Sequence, residues 1–140
     1  MDKIQLQNRT KIFAIRVFKM VEKLPKSKGA DVITYQLIKA SSSVAANYRA
    51  VCRAKSKADF INKLKIVEEE SDESLFWLEF ISELELIPEK LLKDLINEAN
   101  GLVAIFTAAL KTSKKIIIRK SEIVIHIFLQ LQSICFSDYL

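Results

Sequence analysis

Glycine and proline are scarce in this chain, which has only two of each among its 140 residues. Folds built from β-strands spend both residues on their many turns, so this scarcity predicts long helices joined by few loops. Half of the residues are apolar and 28% are charged. That balance fits one packed globular domain and excludes a disordered chain.

Cysteine and histidine are also rare: the chain has only Cys52, Cys135 and His126. Two distant cysteines indicate neither a disulfide framework nor a metal knuckle, so we expect reduced thiols and a cytoplasmic protein. The N-terminal sequence shows no apolar core of a signal peptide. The apolar stretch after Ser121 is too short and too interrupted for a transmembrane helix. We therefore expect no membrane partner.

The net charge of +5 conceals a strong asymmetry along the chain. Residues 1–65 have fifteen Lys and Arg against four Asp and Glu, whereas residues 66–100 have two against eleven. Residues 101–140 are again basic, with five against two. Charge segregated in this way can pair within the fold, attract a polyanion, or join unlike faces of neighbouring subunits.

Apolar residues at helical spacing predict a first helix from Ile4 to Leu24, which Pro25 ends. A second helix is expected to begin near Asp31, an N-cap or first-turn acid, and to run to about Arg53.

The second helix contains a run without large side chains, residues 40–46, which opens the stretch SSSVAANYRAVCRAKSKADF. Small side chains let a partner helix approach closely, so we interpret this run as the tightest helix contact of the core. Tolerance of Ala and Ser on an exposed face is the alternative. Asn47 is assigned a structural role, with its amide bonding across that contact, since buried amides need partners.

Two further helices complete the prediction. Ser56 and Asp59 resemble a capping box at the start of the third helix, and Ser56 is assigned to structure. Pro88 fits the first position of the fourth helix, where the pair Asn100-Gly101 is expected to weaken or kink the helix locally. Four amphipathic helices with short connections predict an all-α, antiparallel up-down four-helix bundle over residues 1–118.

Residues 119–140 form an apolar C-terminal extension of a different character. From Ser121 the text SEIVIHIFLQLQSICF alternates with the period of a strand. The extension could continue the fourth helix, pair as a strand, contact another subunit, or lack a fixed structure, and the sequence leaves these alternatives open.

Catalytic chemistry has no visible residues. A di-iron site in a bundle needs two Glu-x-x-His motifs, and the lone His126 has no Glu three residues before it. The serines at 41–43 have no histidine within the bundle to activate them. Cations around Cys52 could activate its thiol, although cysteine is also a common small core residue. We therefore expect no enzyme activity, no metal and no cofactor.

The basic segment is the better candidate for a site. Arg49 and Arg53 are four residues apart and share a helix face, and Lys57 would continue it. An antiparallel third helix would place only Asp59 near them, because Glu68 to Glu73 would lie opposite Lys39. Either an anionic ligand or the acids of another subunit could then compensate these cations. The predicted nucleic-acid-binding residues are Arg49, Arg53, Lys55, Lys57 and Lys63.

Two aromatic residues need separate treatment. Tyr48, next to the basic segment, could stack on a base. Trp77 is assigned to structure, as a core or subunit-contact residue rather than a stacking platform.

The stretch SSSVAANYRAVCRAKSKADFINKLKIVEEESDESLFWLE resembles the ribosomal intervening-sequence proteins, which in many bacteria are encoded by an insertion within the 23S ribosomal RNA gene. The similarity covers about residues 11–115 and depends on Ser43, Val44, Ala46, Asn47, Ser56, Phe60 and the run ending in Glu79.

This resemblance implies a four-helix bundle that assembles as a ring-like homo-oligomer, with five copies expected, and it implies no enzyme activity. A related group, the accessory proteins of diversity-generating retroelements, forms basic pentameric barrels that bind nucleic acid. We therefore expect binding of RNA or another nucleic acid. The alternative is a protein-binding scaffold whose charge asymmetry serves subunit assembly.

Overall fold

Four helices account for almost all of the chain in a computed structural model, which describes residues 1–137 and, of these, the side chains of 1–116 and 118–125. They are α1 (Lys3–Val21), α2 (Lys28–Val51), α3 (Lys57–Glu83) and α4 (Lys93–Ser137). A single turn of 3₁₀ helix, Glu89–Leu91, precedes α4. The all-α fold class predicted from the sequence is confirmed, and no strand occurs within residues 1–137.

The helices pack as an antiparallel up-down bundle. Each helix contacts the next in the chain, and α1 also contacts α4, which closes the bundle. The core consists of the apolar faces of all four helices, and its largest fully buried side chains include Phe13, Leu37, Leu78, Leu102 and Phe106. This interior supplies most of the stability of the fold, because apolar burial is the dominant favourable term in folding.

Local signals explain where the helices begin and end. Asp2 forms a capping box with Gln5 at the start of α1. Ser27 caps α2, with its side chain accepting a hydrogen bond from the backbone of Ala30, so α2 begins earlier than the predicted Asp31, which lies in its first turn. At the other boundary, α1 ends at Val21, three residues before the predicted Leu24.

The α3 C-terminus has a Schellman motif. Leu86 N–H donates to the carbonyl of Ile81 at 3.3 Å, and Glu85 N–H donates to that of Ser82 at 3.0 Å. Glu85 takes the positive φ of 52° that this motif requires, although glycine is the residue that usually adopts it.

The start of α4 differs from the prediction. Pro88 is not the first residue of α4 but has an extended conformation before the 3₁₀ turn, with φ −55° and ψ 134°. The N–H groups of Leu91 and Leu92 close bonds of the 3₁₀ type to Pro88 and Glu89. This turn delays the start of α4 to Lys93.

The pair Asn100-Gly101, expected to weaken or kink α4 locally, does not interrupt the helix. Instead, a Cβ atom on Gly101 would lie 3.0 Å from Nη2 of Arg9. Arg9 donates to both carboxylate oxygens of Glu98, from Nε at 2.6 Å and from Nη2 at 3.0 Å. Gly101 thus makes room for the guanidinium that ties α1 to α4.

Residues 121–137 continue α4 as a helix, so of the alternatives for this extension the fourth-helix continuation is the one observed, and the strand period is misleading there. After Gly101 the sequence has neither glycine nor proline to end the helix, and a helix satisfies its backbone hydrogen bonds without a partner strand. The side chain of His126 and residues 138–140 lie outside the described part. Among the side chains that the structure describes, the last buried one of α4 is Leu110, and the exposed large aliphatic ones beyond it are Ile116, Ile118, Ile123, Val124 and Ile125.

Candidate nucleic-acid interface

The turn between α2 and α3 organises the predicted basic segment. Helix α2 ends at Val51, and Ser56 caps α3 by accepting a hydrogen bond from Asp59 N–H at 3.1 Å. The carboxylate of Asp59 accepts from Lys55 N–H at 2.9 Å and from Nζ of Lys63. The structural role assigned to Ser56 fits this geometry, while Asp59 stabilises the turn instead of completing the capping box.

The five predicted cations are not equivalent. Arg53, Lys55 and Lys57 are exposed at the turn. Lys63 is engaged with Asp59, and the hydrogen bond from Lys63 is the main cause of the lowered pKa of the Asp59 carboxyl. Because of this ion pair, Lys63 is less available to a ligand than Arg53, Lys55 and Lys57.

Arg49 lies elsewhere, on an outward groove between α1 and α2. We call this concavity the α1–α2 groove and define it by Lys11, Ile15, Phe18, Ala45, Ala46 and Arg49. Its volume is about 620 Å³, and none of its lining residues is acidic. Arg49 thus lies on the α1–α2 groove, whereas Arg53 lies past the end of α2, in the turn.

The small-residue run of α2 serves two surfaces. Ala40, Ser41 and Val44 are buried, which fits the predicted close packing in the core. Ser42 and Ala46 are exposed and line the α1–α2 groove. One face of this run therefore packs in the core and the other is exposed, while its being the tightest helix contact stays a prediction.

The acidic residues of α3 lie where the antiparallel geometry predicts. Lys39 is close enough to Glu70 to act on the pKa of its carboxyl, which agrees with the expected register of α2 against α3. Burial, and then the charge of Glu73, nevertheless raise that pKa above its ordinary value, and Oε2 of Glu70 has no hydrogen-bond partner.

Few ion pairs occur within the part of the chain whose side chains are described. They join Arg9 to Glu98, Lys63 to Asp59, and Lys65 to Glu69. Arg49 and Arg53 take part in none of them, so the acidic residues of α3 do not neutralise these two cations within a single copy.

Helix α4 adds cations that the sequence-based prediction of the site missed. A cavity of about 440 Å³ is lined by Lys3 of α1, Cys52, Ser56 and Ala109 of α4, so α4 leaves the bundle beside the α2–α3 turn. Just beyond Leu110, α4 has five exposed cations. Three of them are spaced four residues apart and share one helix face, Lys111, Lys115 and Arg119, and the other two are Lys114 and Lys120. We call this end of the bundle the basic end and define it by these five residues together with Arg53, Lys55 and Lys57.

The signal for these residues was present in the sequence. Residues 101–140 have a net charge of +3, and the spacing of four residues between Lys111, Lys115 and Arg119 matches that between Arg49 and Arg53. Only Arg119 and Lys120 belong to the extension that had no assigned structure, whereas Lys111, Lys114 and Lys115 fall within the predicted bundle.

Tyr48 is not free to act as a stacking platform. Its ring packs against Phe106 with a centroid distance of 5.5 Å and an interplanar angle of 48°. Burial, followed by the neighbouring Cys52, raises the pKa of the Tyr48 hydroxyl to about 12. The same tyrosine lines the 440 Å³ cavity, together with the half-buried Cys52.

The remaining structural assignments have different outcomes. Asn47 donates to the carbonyl of Ser43 at 2.9 Å, within its own helix, so the predicted bond across a helix contact is wrong. The amide is only half-buried, and the carbonyl four residues earlier is the nearest acceptor on a helix. Trp77 is half-buried against the core, and its indole N–H donates to Glu73 at 3.3 Å.

The described residues offer neither a metal cluster nor a membrane span. Among them, no group of three or more His, Cys, Asp or Glu side chains is arranged to hold a metal ion. In the same part of the chain, no helix combines the length and the apolar character needed to span a bilayer.

Comparisons with known proteins agree with this architecture. A solved structure of a protein with unknown function from the S23 ribosomal protein family of Bacteroides thetaiotaomicron VPI-5482 matches with a TM-score of 0.69 and 28% sequence identity. The match covers 75% of this chain and 97% of that one. A search of the curated proteins finds no match. The family model described as 23S rRNA-intervening sequence protein matches residues 2–108, and the chain belongs to that family.

Proposed function

We propose that this protein is a non-enzymatic, homopentameric helical bundle in the cytoplasm that binds RNA or another nucleic acid through its basic end. The observation that carries the proposal is the convergence of unpaired, exposed cations there. Arg53, Lys55 and Lys57 come from the α2–α3 turn, while Lys111, Lys114 and Lys115 come from α4. The pentamer is the state that the family resemblance implies.

The arrangement suits a phosphate backbone better than a small ligand. Like charges repel at a spacing of four residues on a helix, so the row of Lys111, Lys115 and Arg119 destabilises the free protein unless an anion compensates it. A nucleic acid supplies many phosphates at once and releases counterions on binding. Several copies in one assembly would multiply weak contacts through avidity.

Exposure and ion pairing support a ranking of the predicted binding residues. Arg53 and Lys57 are exposed and belong to the centre of the proposed site. Lys63 contributes less because its ammonium group already pairs with Asp59. Arg49 lies on the α1–α2 groove and reaches a nucleic acid only if the ligand extends along α2.

The proposal is tested with two charge-reversal variants, Arg53→Glu/Lys57→Glu and Lys115→Glu/Arg119→Glu. The matched control is Lys26→Glu/Lys28→Glu, which reverses two exposed cations at the opposite end of the bundle. Fluorescence anisotropy of labelled single-stranded RNA and DNA is measured over a series of salt concentrations. For every phosphate that a variant no longer neutralises, the slope of log K against log salt should become shallower by about 0.7.

We expect each basic-end variant to bind at least tenfold more weakly and the control to bind almost as tightly as the unmodified protein. Equal weakening in all three variants would contradict the site, because the binding would then depend on net charge alone. Absence of measurable binding by the unmodified protein to either nucleic acid at low salt would contradict the function itself.

A protein-binding scaffold is the second candidate, and it is favoured by the large apolar side chains on the surface. Ile15 and Phe18 of α1, like Phe76 of α3, are about half exposed. Exposed apolar patches of this kind mark interaction sites. Under this alternative the basic-end variants would leave nucleic-acid binding equally weak, while variants of the apolar surfaces would alter assembly.

A further inference from the structure

Helix α3 has an outward face that the bundle does not use. Phe76 and Phe80 are 51% and 37% exposed, and Trp77 lies between them. The three rings form one cluster, with centroid distances of 5.0 Å for Phe76–Trp77, 5.8 Å for Phe76–Phe80 and 5.7 Å for Trp77–Phe80. We call this cluster the aromatic ridge. Aromatic side chains at this density are typical of the centre of a protein interface.

Acidic residues surround the aromatic ridge. Between Ile66 and Leu84 the sequence has seven Asp and Glu and no Lys or Arg. Asp72, Glu79 and Glu83 are exposed on the same side of α3 as Phe76. The partner of this face must therefore accept aromatic rings and supply positive charge.

The α1–α2 groove has the complementary character. Ala45 and Ala46 form a floor without large side chains, and the half-exposed Ile15 and Phe18 form an apolar wall. Lys11 and Arg49 add positive charge, and no acid lines the groove. A surface that combines small residues, apolar walls and unpaired cations fits a protruding partner with aromatic and acidic side chains.

We propose that the aromatic ridge of one copy docks into the α1–α2 groove of a second copy. Each surface lacks a partner in the single chain, and the two are complementary in charge, since acidic residues surround the ridge while cations and no acid line the groove. Arg49 would then pair with carboxylates of the neighbouring α3, which offsets the charge that α2 cannot neutralise internally. Because the two surfaces differ, the contact is heterologous and repeats from copy to copy.

This interface deepens the homo-oligomer of the proposed function, and it rests on that part alone. Nucleic-acid binding at the basic end neither requires it nor follows from it. It also assigns Arg49 to assembly and leaves Arg53, Lys55 and Lys57 for the ligand, so the predicted basic segment divides between two tasks.

The test uses one variant for each surface. Ala46→Trp/Arg49→Glu blocks the groove, and Phe76→Lys disrupts the ridge. All three positions are exposed, so the fold should persist, and far-UV circular dichroism and thermal unfolding verify it. Masses are measured by sedimentation velocity and light scattering at several protein and salt concentrations.

We expect the unmodified chain to sediment as an oligomer and each variant alone to sediment near the chain mass of 16.0 kDa. A mixture of the two variants is the decisive sample. Each retains one intact surface, the ridge in the groove variant and the groove in the ridge variant, so one contact is possible per pair. The mixture should form a 1:1 heterodimer and nothing larger.

Three results would overturn the interface. The unmodified chain could be monomeric, either variant could keep the unmodified mass while folded, or the mixture could contain no heterodimer. If Ile118→Lys/Ile125→Lys dissolved the oligomer while the groove and ridge variants did not, the exposed part of α4 would be the contact instead. Retained nucleic-acid binding would show that the ligand-binding part of the proposed function stands in each of these cases. A monomeric unmodified chain would also contradict the homopentamer, whereas the other results would overturn the interface alone.

Discussion

The two parts of α4 have similar apolar character but opposite surroundings. Up to Leu110, the helix buries Leu102 and Phe106 in the bundle core, with 0% and 1% of their surface exposed. Beyond Leu110, Ile118 is 56% exposed. The same helix thus continues with and without tertiary contacts. Apolar residues at helical spacing therefore predict that a helix forms. Whether they are buried depends on whether neighbouring helices extend alongside them.

The family match divides α4 near the same place. The match ends at residue 108, close to Leu110, the last buried residue among the described side chains of α4. The fold shared with the family therefore corresponds to the packed bundle, and the exposed part of α4 lies outside that match. The predicted boundary after residue 118 remains a prediction, since the helix passes through it without a break.

The largest expected difference between the two parts of α4 comes from truncating one side chain in each. Phe106→Ala should cost about 3–5 kcal/mol of unfolding free energy because it empties a space in the packed core. Ile118→Ala should change stability by less than about 0.5 kcal/mol, since its side chain is exposed. Urea unfolding followed by circular dichroism measures both. A similar cost for Ile118→Ala would show that the extension is packed.

A smaller effect is expected where the packed part of α4 meets α1. In a variant that already has Arg9→Ala, Gly101→Ala should raise the free energy of unfolding by up to about 1 kcal/mol, because alanine has the higher helix propensity. In the presence of Arg9 the gain should shrink, because the new Cβ approaches the guanidinium at 3.0 Å. A double-mutant cycle in urea measures the coupling. Additive effects would mean that Gly101 has no part in placing Arg9.

The smallest effect concerns a partly buried carboxyl group of α3, that of Glu70, compared with one on the exposed part of α4. The pKa of Glu70 is raised in the folded protein, so ionisation above that pKa destabilises the fold, whereas below the unfolded pKa both states are protonated and no penalty exists. Glu70→Gln should therefore raise the melting temperature modestly at pH 7, and the gain should disappear as the pH falls through the glutamate range. The exposed Glu122→Gln is the matched control. A gain that is independent of pH would contradict the ionisation argument.

The sequence predicted most of the fold because the signals for helices are local. Ser56 as a cap and the antiparallel register of Lys39 against Glu70 both follow from spacing along the chain.

The departures have more than one origin. Gly101 was expected to weaken or kink the helix locally, but it lies within the continuous helix and accommodates Arg9 of α1. Asn47 was expected to bond across a helix contact, but its amide finds a nearer acceptor on its own helix. The strand period after Ser121 left several alternatives open, and the continuous helix is the one observed.

The candidate site was less predictable than the fold. Spacing placed Arg49 and Arg53 on one face, but only the structure shows that the α1–α2 groove contains Arg49 and that Asp59 holds Lys63. The cations of α4 were visible in the sequence, yet their position beside the α2–α3 turn depends on the path of the whole bundle. A surface shared by several helices cannot be read from the pattern of one.

The fit between Arg9 and Gly101 also bears on how relatives of this protein diverge. As long as an arginine at position 9 binds Glu98, a larger residue at position 101 intrudes on its guanidinium. Relatives that replace this arginine with a shorter side chain are free to accept alanine, the better helix former, at the second position. The two positions should therefore covary, with glycine accompanying arginine more often than their separate frequencies would give.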